Sequence, residues 1–301
     1  MDQKELDIQN YKNSQWIKSC EDAFAKRIFE ITEDIYKNRG IKVIRLYGPS
    51  CSGKTTTANH LISYFKKFGK RAHVISIDDF FYNIDYLTKL SIDKGLDGID
   101  YDSPDTIDCE ELAEFITEIF NDNEVRCPIF DFTTSTRSGY KTMKVDEDDV
   151  FIFEGIQAVY PEVVKMFEGY KTASIYIYPQ NSIIAGGYCF EGNEIRLMRR
   201  LVRDYNFRNT TPAVTFENWD GVRDNEEKNI FPYVGESDYI VNSSMPYEIG
   251  VLKPFLVNLL SEFDKNDKHF ESAKRILERV SLVDEIPDRL ILDGYLYKEF
   301  V

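Results

Sequence analysis

Residues 48–55 read Gly48-Pro49-Ser50-Cys51-Ser52-Gly53-Lys54-Thr55, directly after the apolar run Ile41–Tyr47. The setting matters more than the G-x-x-x-x-G-K-T pattern itself. A buried strand brings the chain to a glycine-rich turn, and a helix begins at the lysine. Several backbone N–H groups then point into one concavity, where the helix dipole adds to their attraction for anions. The candidate nucleotide-binding residues are therefore Gly48, Ser50, Cys51, Ser52, Gly53, Lys54, Thr55 and Thr56. Lys54 is expected to reach the β- and γ-phosphates, and the Thr55 hydroxyl to face Mg2+. The alternative is an accidental match in an ordinary strand-to-helix turn.

Outward from this loop, short apolar runs alternate with helical periodicities. Ala72–Ile77, Val150–Phe153, Ala173–Tyr178 and Tyr239–Val241 read as strands. Helices are expected over Lys54–Phe68, Asp108–Asn121, Glu194–Tyr205, Pro212–Lys228 and Pro246–Phe263, with another after Glu154 through Phe167. This order predicts an α/β fold of the P-loop NTPase kind: a mostly parallel sheet covered by helices on both faces, with a helical lid at about residues 184–210. Residues 1–40 are expected to form a helical extension, 41–263 the nucleotide-binding body, and 264–301 a helical extension packed on the core. The polar stretch Ile84–Tyr101 reads as a mobile excursion. Pro128–Thr133 and Lys141–Val145 flank Ser138-Gly139, which marks a hairpin.

Composition sets outer limits. The 301 residues carry a formal charge of −15, and 43% are apolar, including 21 Phe and 19 Tyr, enough for a large core. An acidic surface repels phosphate backbones, so nucleic acid is not an expected partner. The five cysteines show no C-x-x-C pairing, which argues against a disulfide framework or a zinc site. Met1–Asn13 is polar and acidic, and no apolar run approaches the length of a membrane span. A soluble cytoplasmic protein is the expectation.

Ligands of parallel α/β sheets sit at the carboxyl ends of the strands. The loop, Asp78-Asp79 and Glu154 each follow a predicted strand, so they should converge on one crevice. Mg2+ takes oxygen ligands and is usually held by one or two carboxylates together with phosphates. Glu154 is the candidate metal-directed acid, and a helix N-cap is its alternative role. Asp78 is placed to orient an acceptor hydroxyl and take its proton, and it can also reach the metal through water. The alternative is that Asp78 and Asp79 are solvated turn residues. Arg196, Arg199 and Arg203 share one helical face at i, i+3 and i+7, with Arg200 beside them. Guanidinium forks suit phosphate oxygens, although a charge run can also be a solvated surface. Asp78, Lys54 and Arg199 form the candidate catalytic set, with Arg196 and Arg203 on the nucleotide.

These motifs resemble uridine kinase and its relatives in the phosphoribulokinase–uridine kinase group of P-loop kinases. The similarity covers about residues 41–262. It rests on Gly48–Thr57, Ser76–Phe81, Tyr101–Asp108, Pro128–Arg137, Phe153–Ile156, Ile195–Asp204 and Trp219–Ser244, in the family's order. The resemblance implies phosphorylation of a ribonucleoside 5′-hydroxyl with Mg-ATP, or GTP, as donor, and a uridine- or cytidine-type substrate. It implies that Asp78 is the catalytic aspartate, that Thr55 and Glu154 neighbour Mg2+, and that Asp102 grips the ribose hydroxyls. An Asx-turn before Pro104 is the other reading of Asp102. Arg137 falls in the nucleoside-side hairpin, and Arg196, Arg199 and Arg203 match lid arginines. Members of the family are often oligomeric.

Two departures stand out. Phe130 and Ser135 occupy the positions where the family carries a base-reading Tyr and His. Ile184–Asn193 replaces the usual polar loop before the lid, and its paired glycines suggest flexibility. Another alcohol substrate (a phosphorylated sugar or a pantothenate-like molecule) and a nucleotide-binding regulatory homologue therefore stay open.

Overall fold

The computed structural model describes residues 3–301 apart from Arg39, Asp97 and Thr133. The readings that rest on Met1, on Arg39 near the end of the expected N-terminal helical extension and on Thr133 at the end of a strand lie outside the described residues. Ile17, Phe24, Ile28, Ile31 and Ile35, at helical spacing, form the buried stripe of α1 (Gln3–Lys37). The chain continues through β1 (Val43–Tyr47), α2 (Lys54–Lys67), β2 (Ala72–Ser76), α3 (Ile84–Asp93), α4 (Cys109–Asn121), β3 (Glu124–Asp131) and β4 (Thr136–Lys144). Then follow β5 (Val150–Glu154), α5 (Pro161–Lys165), β6 (Thr172–Tyr178), β7 (Ile183–Ala185), β8 (Tyr188–Phe190), α6 (Gly192–Arg208) and α7 (Pro212–Asn229). The last elements are β9 (Tyr239–Asn242), α8 (Glu248–Leu260) and α9 (Phe270–Ser281).

Five strands form one parallel sheet in the order β2-β5-β1-β6-β9. Successive strand residues point to opposite faces, and here the alternation separates two cores. Ile44, Leu46, Ile152, Ile175 and Ile177 pack with Leu61, Phe65, Met198, Leu252 and the stripe of α1. Val43, Tyr47, Phe151, Phe153 and Tyr176 pack with Leu112, Phe115 and Ile116 of α4 and Val163 of α5. Both faces of the sheet are covered, as the near-continuous apolar runs require. Glu154 lies beside Leu46 on one neighbouring strand and Ser76 on the other, so the carboxyl ends of β2, β5 and β1 finish level.

Three local expectations are corrected. The excursion after Ile84 begins with the ordered helix α3, which buries Leu87 and Ser91, and the Ser91 hydroxyl donates to the Gly98 carbonyl at 2.6 Å. Ser138-Gly139 is not the hairpin turn: Gly139 sits inside β4 opposite Ile129, at a bulge, and the chain reverses just before β4. Glycine inside a strand often marks such a bulge rather than a turn. Gly186 and Gly187 do not form a loose linker. With φ of +55° and +82° they make the two-residue turn between β7 and β8, and a Cβ on Gly186 would lie 2.8 Å from the Leu282 carbonyl. Residues 183–190 thus form a tight hairpin that lies against the Leu282 backbone.

Gly48 ends β1 against β6. A Cβ there would lie 2.1 Å from the Ile177 carbonyl oxygen. Gly48→Ala is expected to cost about 1–3 kcal/mol of stability, because backbone must shift to make room. Urea denaturation of the parent and the variant measures it.

Candidate active site

The strand–loop–helix setting exists as read. Cys51 (φ +58°) and Gly53 (φ +97°) take left-handed backbone, which curls residues 48–53 into a cradle opening on the first turn of α2. Lys54 folds over this cradle, its Nζ donating to the Gly48 and Pro49 carbonyls at 3.0 and 3.2 Å. Gly53, as N-cap, offers no side chain to the first-turn amides of α2. Among the described residues the Gly53, Lys54 and Thr55 N–H groups have no protein partner. The Thr56 N–H has one: it donates to Glu299 Oε2 at 3.1 Å, and the Thr56 hydroxyl donates to the same oxygen at 2.8 Å.

The structure brings Lys54, Asp78 and Glu154 together. Lys54 acts electrostatically on both carboxylates, and the two acids act on each other. Burial pushes the Glu154 carboxyl up to about 7, with Lys54 opposing the shift. Asp78 is likewise raised by burial, against a hydrogen bond from Gln157 Nε2 to its Oδ1 at 2.9 Å and the charge of Lys54. The chain enters a 3-10 turn at Ile77, and this turn separates the two neighbouring aspartates. Asp78 faces the loop, whereas Asp79 accepts from the Phe130 N–H at 3.1 Å and pairs with Lys141. Gln157, in the turn after β5, is a functional candidate that the sequence reading missed. Its only cue was its place three residues beyond the strand-end Glu154.

The arginines of α6 need the largest correction. Arg196 and Arg199 do not look into an open cleft: both side chains are fully buried. Arg196 makes a bidentate pair with Glu226, at 2.6 Å to each oxygen, and donates to the Ser50 carbonyl at 3.0 Å. Arg199 pairs with Glu248 at 2.7 and 3.0 Å and donates to the Cys51 carbonyl at 3.2 Å. They grip the loop from behind. Helical spacing identified residues that share a face, but Glu226 and Glu248, distant in sequence, decide that the face turns inward. The arginines nearer the carboxylates are Arg200, Arg203 and Arg208, which converge on buried Asp204. Arg208 acts on Asp78 and Arg200 on Asp102, and Glu299 acts on Arg203. Arg200 and Arg208 were not among the expected site residues.

On the other side of Asp78, burial lifts the Asp102 carboxyl to about 6, with Arg200 opposing. Its segment is held by the Tyr160 hydroxyl, which donates to the Asp102 carbonyl at 2.7 Å and accepts from Asn225 Nδ2 at 2.9 Å. Phe130 is buried edge-on against Phe81 and Phe132, so its ring belongs to the core. Arg137 is also engaged within the protein. It donates to the Phe81 carbonyl and pairs with Asp108 and Glu111, tying the β3–β4 hairpin to the start of α4. Phe132 is the exposed aromatic at this edge, with the Arg208 guanidinium 5.6 Å from its ring centre.

Among the described residues no three His, Cys, Asp or Glu side chains form a ready-made metal cage. Mg2+ in phosphoryl-transfer sites does not need one, because phosphates and water supply most of the ligands. Glu154 and Asp78, two neighbouring carboxylates in no ion pair among the described residues, together with exposed Thr55, fit such an ion.

The sequence profile of the Phosphoribulokinase / Uridine kinase family matches residues 43–249. A uridine kinase of Ureaplasma parvum serovar 3 is 30% identical over 178 residues, covering 59% of this chain and 75% of that protein. Among solved structures, the YGR205w protein is 21% identical with a TM-score of 0.52, over 73% of this chain and 89% of that one. A protein described as a fructose transport system kinase from Silicibacter sp. TM1040 is 15% identical with a TM-score of 0.51, over 71% of this chain and 98% of its own. At those identities the two structures speak to the fold alone.

Arg199→Ala would leave Glu248 buried without its countercharge. A loss of about 3–5 kcal/mol in urea denaturation is expected. Arg203→Ala leaves Asp204 paired with Arg200 and is expected to cost much less. If the two variants are equally stable, Arg199 is not a structural bracket.

Proposed function

The chain belongs to the Phosphoribulokinase / Uridine kinase family and is a phosphotransferase with an alcohol acceptor; on that premise we propose that it transfers the γ-phosphoryl of Mg-ATP to the 5′-hydroxyl of a uridine- or cytidine-type ribonucleoside, in the cytoplasm. The observation that carries the reading is the shared edge of Lys54, Asp78 and Glu154. The phosphate loop, Asp78 and Glu154 follow the level ends of three adjacent strands, which supports reading them as cradle, base and metal-directed acid.

In this reading the donor's phosphates lie on the free amides of Gly53, Lys54 and Thr55. Lys54 leaves the loop carbonyls for the β- and γ-phosphates. Glu154, Thr55 and Asp78 would hold Mg2+, which supplies charge neutralisation between phosphate oxygens. Gln157 fixes one oxygen of Asp78 and leaves the other to receive the proton of the acceptor hydroxyl. Burial raises the basicity of that carboxylate, which suits the task. Arg200, Arg203 and Arg208 lie nearest to the charge of the transferred group. Asp102 accepts the two vicinal ribose hydroxyls, a pair of charge-assisted bonds that a deoxyribose leaves half unmade.

A different alcohol is the second reading, and one observation favours it. The two positions where the family reads the base are engaged within the protein: Phe130 is in the core, and the Ser135 hydroxyl is 2.6 Å from that of Tyr101. Base recognition, if pyrimidine, then falls to neighbours such as exposed Phe132. ADP release with Mg-ATP against nucleosides, sugar phosphates and pantothenate-like alcohols separates the readings. Turnover with another alcohol and with no nucleoside overturns the first.

Two further outcomes are expected. Asp78→Asn keeps nucleotide affinity and lowers kcat by roughly 10²–10⁴; near-parental turnover would remove Asp78 from the role. Asp102 grips hydroxyls as a carboxylate, and its pKa is raised to about 6, so acceptor binding is weak below that pH and strengthens as pH rises through it. KM for the acceptor between pH 5 and 8, compared with Asp102→Asn, which should lose the dependence, checks the sign.

A further inference from the structure

The C-terminal segment is built into the donor side of the site. The Leu296 N–H donates to both oxygens of Glu21, from α1, at 3.2 and 3.1 Å. The Tyr297 hydroxyl donates to Glu248, and the Arg199 guanidinium lies 5.2 Å from the Phe300 ring centre. Leu296, Tyr297 and Phe300 are fully buried, and a Cβ on Gly53 would lie 2.5 Å from Leu296 Cδ1. This seat carries Glu299 to the first turn of α2, where its carboxylate takes both donors of Thr56.

That contact is unusual in its chemistry. Thr56 is the third residue of a helix whose N-cap is glycine, and its N–H is one of the orphan donors that a bound phosphate chain would use. An acid supplied from 243 residues away fills this role. Glu299 also acts electrostatically on Glu154 and Arg203, so its charge is sensed on the same side of the loop as the strand-end acid. A cavity of about 420 Å3 opens beside the contact, lined by Asn59, His60, Ser63, Tyr295 and Lys298. It gives the carboxylate room to swing aside without unseating the buried residues around it.

We propose that Glu299 is an exchangeable cap of the phosphate loop: its carboxylate occupies the Thr56 donors until the donor nucleotide's phosphate chain displaces it. The inference rests on the loop being the donor site. Two consequences have opposite sign. The cap stabilises the nucleotide-free protein by satisfying the helix start, and it weakens nucleotide binding by competing for a donor and by like-charge repulsion.

Calorimetric titration with Mg-ADP, on the full chain and on Glu299→Gln and Glu299→Ala, tests this alongside melting curves without nucleotide. Glu299→Ala should bind Mg-ADP about tenfold more tightly, which is about 1.4 kcal/mol, while melting at a lower temperature. Glu299→Gln keeps an acceptor without the charge and should fall between. A residue that only braces the helix would lower stability and leave affinity unchanged or weaker in both variants, and that result overturns the proposal. If parent and variants all fail to bind nucleotide, the donor-site reading falls and takes the cap with it. Nucleotide binding that is indifferent to residue 299 removes the cap alone.

Discussion

The first turn of α2 sets the terms for everything around it. A helix begins with amides that no residue of its own can satisfy, and here the residue at its start is a glycine that offers no side chain. The loop holds those amides in a cradle only because Cys51 and Gly53 take left-handed backbone and Gly48 lies against the Ile177 carbonyl. Such a loop, with its carbonyls facing outward, would open if left unsupported. Arg196 and Arg199 hold the Ser50 and Cys51 carbonyls from the opposite side. The anion-binding face and its buttress are thus one construction, reaching from β1 to α6.

A chain with a charge of −15 must spend its positive residues carefully around a phosphate site. Many of its buried arginines are neutralised by a specific acid: Arg196 by Glu226, Arg199 by Glu248, and the Arg200, Arg203 and Arg208 group by Asp204. A buried guanidinium without such a partner would carry a heavy desolvation cost. The arrangement also sorts the arginines. Arg196 and Arg199 also hold carbonyls of the phosphate loop, whereas Arg200, Arg203 and Arg208 share one aspartate. Glu21 does the same service for the C-terminal segment, holding Leu296 beside the loop. The first and last parts of the chain therefore meet beside the phosphate loop.

Much of the sheet was legible in advance. Alternating apolar runs are enough to place β1, β2, β5, β6 and β9, because a strand covered on both faces leaves little room for polar residues. The strand-end acids were legible for the same reason: Glu154 follows four apolar residues, and a carboxylate placed there needs a purpose. Local punctuation was a poorer guide. Ser138-Gly139 has the composition of a turn yet serves as a bulge, and Gly186-Gly187 looks loose yet forms a tight hairpin. Glycine reports a permitted backbone angle, and only the neighbours say which structure uses it.

Along the chain itself, residues 48–55 and the runs before Asp78 and Glu154 determine a parallel α/β body with its phosphate cradle and acids at one edge. These are properties of short segments, set by side-chain periodicity and by the backbone freedom of glycine. Which arginines face the cleft, that Phe130 turns into the core, that Gln157 bonds Asp78 and that Glu299 reaches Thr56 were decided only by tertiary structure. Each depends on a partner tens to hundreds of residues away. No local pattern encodes whether a charged face will meet solvent or a buried carboxylate.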